Sequence, residues 1–167
     1  PISSVTADNV AGSYRIIDFL IKNGHKKIGI VNGPLFLSSG IERWSGIKQA
    51  FQDNQVELDM SLVEEGEFTA ESGYQAAKNI IGRQNTPSAF FGTNHMITVG
   101  ILKAVHESGL SIPGDISVAS FEGFDDSAFE YLVRPNITCN VHPTREMARV
   151  AVDLLFEEIR KRRTKEQ

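Results

Sequence analysis

The sequence predicts an α/β fold with a doubly wound parallel sheet, and three observations carry this prediction. Several segments repeat apolar residues at helical spacing, and short β-branched or aromatic runs stand between them. The two kinds of segment alternate along the whole chain, from an opening helix to a closing helix. One predicted strand, residues 89–91, is wholly apolar, which is typical of a strand buried on both faces of a parallel sheet.

The first predicted helix carries apolar residues three or four positions apart between Val10 and Ile21. Asp8 stands where it would cap the start of this helix, and Asn23-Gly24 would end it. The β-branched run 27–31 then predicts the first strand, which stops at a turn of Asn, Gly and Pro.

The rest of the chain continues the alternation. A helical stripe at 44–51 precedes a weak strand at Leu62-Val63, and Thr69 stands where it would cap a third helix that ends at Gly82. After the strand 89–91, apolar residues from Met96 to Val105 predict a fourth helix. The last predicted elements are strands at 116–119 and 137–141 and a long helix that begins near Thr144.

Composition excludes several classes of protein. The 167 residues include 17 Lys+Arg and 21 Asp+Glu, and this net charge of -4 gives no electrostatic footprint for nucleic acid. One cysteine, Cys139, excludes a disulfide scaffold and a cysteine-based zinc cluster. No apolar run approaches the roughly 20 residues that span a bilayer, and the first residues do not form a signal peptide. We therefore expect a soluble chain with no membrane partner.

Motifs for catalysis are absent from the sequence. It contains no dinucleotide-binding or phosphate-binding glycine motif, no nucleophile elbow and no zinc-protease motif, and its four histidines are scattered. Cys139 and His142 stand three apart, but a packed thiol beside a loop imidazole is the favoured interpretation of that pair. We predict no enzyme, no catalytic residue, no metal and no cofactor.

Polar and aromatic residues collect where the predicted strands end. Ligands of open α/β sheets bind beyond the carboxyl ends of the strands. The residues at those ends include Phe36, Ser38, Ser39, Arg43, Phe68, Thr93, Asn94, His95, Glu122, Asp125, Asp126 and His142. Planar polar groups can bridge neighbouring hydroxyls with paired hydrogen bonds, and Phe68 offers an apolar face to a ring. Taken one at a time, such residues also cap turns, as Asn94 would as a helix N-cap.

Six segments in register resemble the lac repressor (LacI/GalR) family of transcriptional regulators, and together they cover nearly the whole chain. The segments are Asp8-Asn9 with 20–34, the stretch Glu42-Arg43-Trp44-Ser45-Gly46-Ile47, residues 87–94 before Gly100, residues 109–118, residues 123–126 and residues 134–138. The second of these is similar to the R-x-x-G helix start of the family.

The resemblance implies a periplasmic-binding-protein-like core of type I, in which two lobes enclose the effector. It implies that residues 1–23 are a crossing helix of a partly missing N-lobe, that 24–142 are the C-terminal effector-binding lobe, and that 143–167 are a terminal N-lobe helix with a basic tail. The DNA-binding head would be missing from this chain. The complete regulator would bind operator DNA through that head alone. The resemblance also implies a cytoplasmic homodimer; Phe129, Tyr131 and Leu132 hint at an apolar contact surface.

Carried over residue by residue, the resemblance gives a candidate ligand-binding set. Its members are Asp8, Arg43, Phe68, Asn94, Glu122, Asp125 and His142. Two positions depart from the pattern of the family. His95 stands where the family usually has Asp, and the acid after the fourth strand is either Glu122, by strand length, or Asp125, by spacing to Pro135 and Thr138. Of these two acids Asp125 is preferred.

The function expected from this resemblance is binding of a sugar-like effector and dimerisation within a LacI-type regulator. The alternative is a periplasmic sugar-binding protein of a transporter, which shares the fold and the pocket chemistry. A purine or a phosphoprotein corepressor is an alternative to a sugar as the effector. The third hypothesis for the function is an enzyme on a Rossmann-like fold.

Overall fold

The computed structural model describes residues 3–123 and 137–165. The helices in this part of the chain are α1 (Asn9–Lys22), α2 (Ser38–Asp53), α3 (Ala70–Ile81), α4 (His95–Glu107) and α5 (Thr144–Lys165). The strands are β1 (Ile28–Asn32), β2 (Val63–Glu65), β3 (Ala89–Gly92), β4 (Ser117–Ser120) and β5 (Thr138–Cys139). A short 3-10 turn, Met60–Leu62, leads into β2.

The five strands form one parallel sheet in the order β2-β1-β3-β4-β5. The predicted fold class is therefore confirmed. The chain runs outward from β1 to β2 and then returns to place β3 on the other side of β1. This reversal creates a topological switch point between β1 and β3, and a crevice for ligands is expected at the carboxyl ends of those two strands.

Helices cover both faces of the sheet because successive strand side chains point in opposite directions. Ile30 and Phe91 belong to the core that α1 and α2 complete, whereas Val31 and Phe90 belong to the core that α3 and α4 complete. All four of these side chains are fully buried. The apolar character of the central strands follows from this double coverage.

Helix boundaries follow the predicted capping chemistry where the structure describes a cap. The Thr69 hydroxyl accepts a hydrogen bond of 3.2 Å from the Ser72 amide at the start of α3. Gly24 and Gly109, just beyond α1 and α4, have φ angles of 95° and 73°. Only glycine adopts this left-handed conformation without strain, which explains where the two helices end.

The bounds of all five strands differ from those predicted. Strand β1 begins and ends one residue later than the run 27–31, and β3 extends one residue further, to Gly92. The second strand begins at Val63 because Leu62 lies in the 3-10 turn, and β4 begins and ends one residue later than predicted, reaching Ser120. The fifth strand is confined to two residues rather than residues 137–141. Parallel pairing accounts for the extension of β4 to Ser120, since that residue pairs with both Gly92 and Cys139.

The described residues divide into two compact units, one built from residues 9–123 with 137–141 and the other from residues 3–8 with 142–165. Helix α1 belongs to the unit that contains the sheet. It packs on α2 so closely that a Cβ at Gly46 would lie 2.1 Å from the carbonyl oxygen of Val10. Among the described helices, none is long and apolar enough to cross a membrane.

Candidate functional site

Polar side chains gather at the carboxyl ends of β1, β3 and β4, beside the switch point. Backbone hydrogen bonds extend the sheet at this edge, because the Thr93 amide donates to Val31 O at 3.1 Å and the Phe121 amide donates to Gly92 O at 2.9 Å. The loops that follow β3 and β4 therefore leave the sheet side by side. This arrangement brings Asn94, His95 and Glu122 together with Arg43, which α2 supplies.

Arg43 lies at the centre of this site, with its side chain 9% exposed. Its Nε donates to Asn9 Oδ1 at 2.9 Å, its Nη1 donates to the backbone carbonyl of Thr93, and its Nη2 donates to Glu122 Oε1 at 3.0 Å. These partners stand on α1, after β3 and after β4. The guanidinium therefore fixes three separate elements relative to α2, as only a planar fork of donors can.

Aromatic rings enclose the same guanidinium. Its carbon lies 3.8 Å from the centroid of the Phe121 ring and 5.9 Å from that of Phe68. Burial lowers the pKa of Arg43, and the Glu122 carboxylate opposes this by raising it. An arginine remains protonated under such conditions, so the site holds a permanent, largely desolvated positive charge.

Glu122 uses both carboxylate oxygens within the site. Oε1 accepts from Arg43, and Oε2 lies 2.9 Å from Nδ1 of His95. Burial raises the pKa of this carboxyl, but the hydrogen bond from His95 and the charge and hydrogen bond of Arg43 outweigh burial and lower the pKa below its ordinary value. Glu122 is consequently ionised at neutral pH and neutralises Arg43.

Asn94 caps the start of α4, one of the two roles that the sequence predicts for it. Its Oδ1 accepts from the Ile97 amide at 2.8 Å and caps α4, and its backbone carbonyl accepts from the Thr98 hydroxyl at 2.8 Å. The Thr98 and Ser120 hydroxyls lie 3.0 Å apart and tie α4 to the end of β4. Asn94 is buried, and its capping bond sets the direction in which His95 leaves the helix start.

Phe68 stands near Arg43 because the loop after β2 folds over the end of β1. A Cβ at Gly33 would lie 2.0 Å from the Phe68 ring, so the ring rests directly on the backbone of the β1–α2 turn. Thr93 also fixes this turn, because its Oγ1 accepts a hydrogen bond of 2.9 Å from the Gly33 amide. The structure thus brings together four of the predicted residues, Arg43, Phe68, Asn94 and Glu122.

Of the other three predicted residues, two belong to the second compact unit and one lies outside the described residues. Asp8 and His142 belong to the unit of residues 3–8 and 142–165. Asp125, the preferred acid, lies outside the described residues, as do Phe129, Tyr131 and Leu132 of the suggested contact surface. Of the two candidate acids, Glu122 is the one that the described structure pairs with Arg43.

Sequence reasoning missed three residues of the site. Asn9 accepts from Arg43 and donates to Glu42 Oε2 at 2.7 Å, so it links α1 to α2. Phe121 stacks on the guanidinium. Asn32, at the end of β1, is 2% exposed, and its amide nitrogen and oxygen have no hydrogen-bond partner among the described residues. A polar residue ending an otherwise apolar strand was the one available signal for Asn32.

Stability of the chain is expected to fall with acidification through Glu122. Because the pKa of this carboxyl is lower in the folded chain than in the unfolded chain, its contribution is present above the ordinary glutamate pKa of about 4.3 and is lost as the pH drops through the lower folded value. Urea unfolding measured between pH 7 and pH 3 should show this loss.

The matched variant for this measurement is Glu122→Gln. Asp59 and Asp115 also have lowered pKa values, through hydrogen bonds from Ser61 and Ser111, and both are retained in the variant. The difference between the two pH curves therefore isolates Glu122. Parallel curves for the two proteins below pH 5 would contradict the prediction.

Comparison with known proteins gives one family. Residues 17–167 match the family model of the periplasmic binding protein-like domain. The chain is 32% identical over 161 residues to the HTH-type transcriptional regulator CelR of Thermobifida fusca, covering 94% of this chain and 46% of that protein. It is 31% identical over 153 residues to the HTH-type transcriptional repressor PurR of Histophilus somni, covering 91% and 45%.

Solved structures agree with this family. A sugar-binding transcriptional regulator of the LacI family from Escherichia coli, in complex with phosphate, superposes with a TM-score of 0.78 at 30% identity, covering 86% of this chain and 51% of that chain. The chain spans about half the length of the relatives that it matches. The predicted resemblance to LacI-family regulators is confirmed, and these relatives are regulators rather than enzymes.

Proposed function

The chain belongs to the periplasmic binding protein-like domain family, and on this premise we propose that it is the effector-binding and dimerising part of a LacI-family transcriptional regulator. The observation that carries the proposal is the network of Arg43, Glu122 and His95 at the switch point of the sheet. This is the place where open α/β folds bind small molecules.

The effector that fits this site best is a sugar or a sugar derivative. Exposed apolar side chains stand in the same segments of the chain as the polar network: Leu35, Phe36, Leu37 and Ile41 precede Arg43, and Met96 follows His95. A sugar ring offers hydroxyl groups at its edge and C–H groups on its faces, so it can contact both kinds of side chain. The sugar-binding regulator from Escherichia coli supports this choice.

The proposed mechanism couples effector binding to the spacing of DNA-binding heads. A ligand that binds the closed arrangement of two lobes more tightly than the open one shifts the population between them. In a homodimer this shift moves the two heads relative to the half-sites of a palindromic operator. The protein then works in the cytoplasm, binds DNA only through its head, and catalyses no reaction.

We assign α5 to the second lobe of that regulator. Its exposed apolar residues, Val152, Leu155, Phe156 and Ile159, recur three or four positions apart and form one stripe on the helix. A helix with such a stripe is expected to bury it against further secondary structure. Residues 143–167 therefore serve the lobe that the amino-terminal half of the regulator would complete.

Thermal unfolding of the complete regulator against neutral sugars, sugar phosphates and purines tests the proposed function. A bound effector at about 100 times its dissociation constant should add about 2.7 kcal/mol to the free energy of unfolding. Glu122→Gln should reduce this gain.

The matched control is Glu64→Gln, because Glu64 also pairs with an arginine, Arg83, but lies on β2. The ligand-induced gain should survive in this variant. A gain that both glutamine variants abolish equally would place the ligand elsewhere, and a panel without any gain would contradict a small-molecule effector of these classes.

A further inference from the structure

The contact between His95 and Glu122 indicates which nitrogen of the His95 ring carries the proton. Nδ1 of His95 lies 2.9 Å from Glu122 Oε2. An ionised carboxylate only accepts hydrogen bonds, so Nδ1 must be the donor in this contact. When the ring is neutral it carries a single proton, and the hydrogen bond at one nitrogen decides the state of the other. Neutral His95 is therefore protonated at Nδ1, and Nε2 is a bare acceptor.

His95 is also the most accessible member of the network. Its side chain is 47% exposed, against 24% for Glu122 and 9% for Arg43. All three nitrogens of the Arg43 guanidinium donate to protein oxygens, and both Glu122 oxygens accept from protein nitrogens. Nε2 of His95 has no hydrogen-bond partner within residues 3–123 and 137–165. A ligand thus meets the imidazole before it meets the buried ion pair.

We propose that His95 is a specificity-determining residue of the effector site and that its Nε2 accepts a hydrogen bond from a hydroxyl of a neutral ligand; this rests on the proposed function. The contact selects for ligands that present a donor. A carboxylate or a phosphate dianion presents only acceptors, and at the neutral ring of His95 it would face a bare nitrogen with the Glu122 carboxylate on the other side of the ring. The site therefore prefers a neutral polyol over its anionic counterpart.

The tautomer of His95 can be determined by NMR spectroscopy in the absence of any ligand. Long-range ¹H–¹⁵N correlation spectra of the ¹⁵N-labelled chain at pH 8 distinguish the protonated nitrogen from the bare nitrogen in each neutral imidazole. His95→Asn identifies the signals of His95 among the four histidines of the chain. The expected result is a protonated Nδ1 and a bare Nε2. Protonation at Nε2 would overturn the proposal, because that nitrogen would then be a donor.

Two glutamine variants separate the cause from the effect. Glu122→Gln removes the charged acceptor and should shift His95 toward a mixture of tautomers, whereas Glu64→Gln should leave its spectrum unchanged. An unaltered Nδ1–H tautomer in Glu122→Gln would show that another group holds the proton and would overturn the assignment to Glu122.

The ligand contact has its own pair of variants in the complete regulator. An asparagine at position 95 can place an amide nitrogen near the position of Nδ1, but it has no counterpart of Nε2. His95→Asn should therefore keep the hydrogen bond to Glu122 and lower the affinity for a neutral sugar that binds the parent regulator by roughly two- to tenfold. Unchanged affinity in His95→Asn would overturn the ligand contact. A sugar panel with no response contradicts the proposed function and leaves the tautomer result standing, so the two failures are distinguishable.

Discussion

Replacing Arg43 by alanine is expected to lower the free energy of unfolding by about 3 kcal/mol, the lower end of the range for breaking a buried ion pair. The lower end applies because Glu122 keeps 24% of its side chain exposed and can recover part of its hydration. The loss has three sources: the carbonyl of Thr93 and the amide of Asn9 lose a charged donor, Glu122 loses its counter-ion, and a void opens against Phe121. Urea unfolding at pH 7 measures the effect.

The control for this prediction is Arg15→Ala. Arg15 is exposed and donates to Asn140 Oδ1 at 3.3 Å, so its removal should change stability by less than about 0.5 kcal/mol. Arg43→Lys should fall between the two, since an ammonium keeps the charge but lacks the planar fork. Equal losses for Arg43→Ala and Arg15→Ala would contradict the structural role assigned to the buried guanidinium.

The effect of Arg43 shows where sequence reasoning stops. The sequence predicts Arg43 as a ligand contact, from its place after the first strand and from the resemblance to the family. Its hydrogen-bond partners Asn9, Thr93 and Glu122 lie 34, 50 and 79 residues away along the chain. No local pattern joins positions so far apart, because the fold alone decides which loops leave the sheet side by side. The structure describes a buried group that holds the site together.

The fold itself was predictable because its causes are local. Phe90 and Phe91 are adjacent and both buried, and they enter opposite cores, as a strand covered on both faces requires. Thr69 caps α3 through a contact only three residues long. Strand boundaries were less predictable, since pairing with both neighbours extends β4 to Ser120, and β5 has only two residues.

Asn94 and Asn32 illustrate two further limits of prediction from the sequence. Asn94 fits both a ligand contact and a helix cap by sequence, and only its 2.8 Å bond from the Ile97 amide identifies the cap. Asn32 carries no motif, and its burial without a partner in the described part of the chain becomes visible only when β1 is placed inside the sheet. Natural proteins seldom leave a buried amide unpaired, so such residues are found by structure rather than by pattern.

Gly100→Ala is expected to destabilise the chain by about 3 kcal/mol, because the crossing of α3 and α4 has no room for a methyl group. A Cβ at Gly100 would lie 2.1 Å from the carbonyl oxygen of Ala70 and 2.4 Å from the backbone nitrogen of Tyr74. The crossing is tight from the other side as well, since a Cβ at Gly73 would lie 2.3 Å from Ile97 O. Backbone atoms cannot rotate away, so the helices must separate, and this outweighs the gain of about 1 kcal/mol in helix propensity.

Gly82→Ala is the matched control, because Gly82 caps the end of α3 with an ordinary right-handed conformation and its nearest backbone atom would lie 3.3 Å from a new Cβ. Its effect on urea unfolding should stay within about 1 kcal/mol of zero. Gly100 lies on the helix that begins with His95, so separation of α3 from α4 should also disturb the Nδ1–H signal of that imidazole, which Gly82→Ala should preserve. A Gly100→Ala chain as stable as the parent would mean that the crossing adjusts freely, and a loss of stability with an intact His95 signal would mean that α4 supports the core and the site separately.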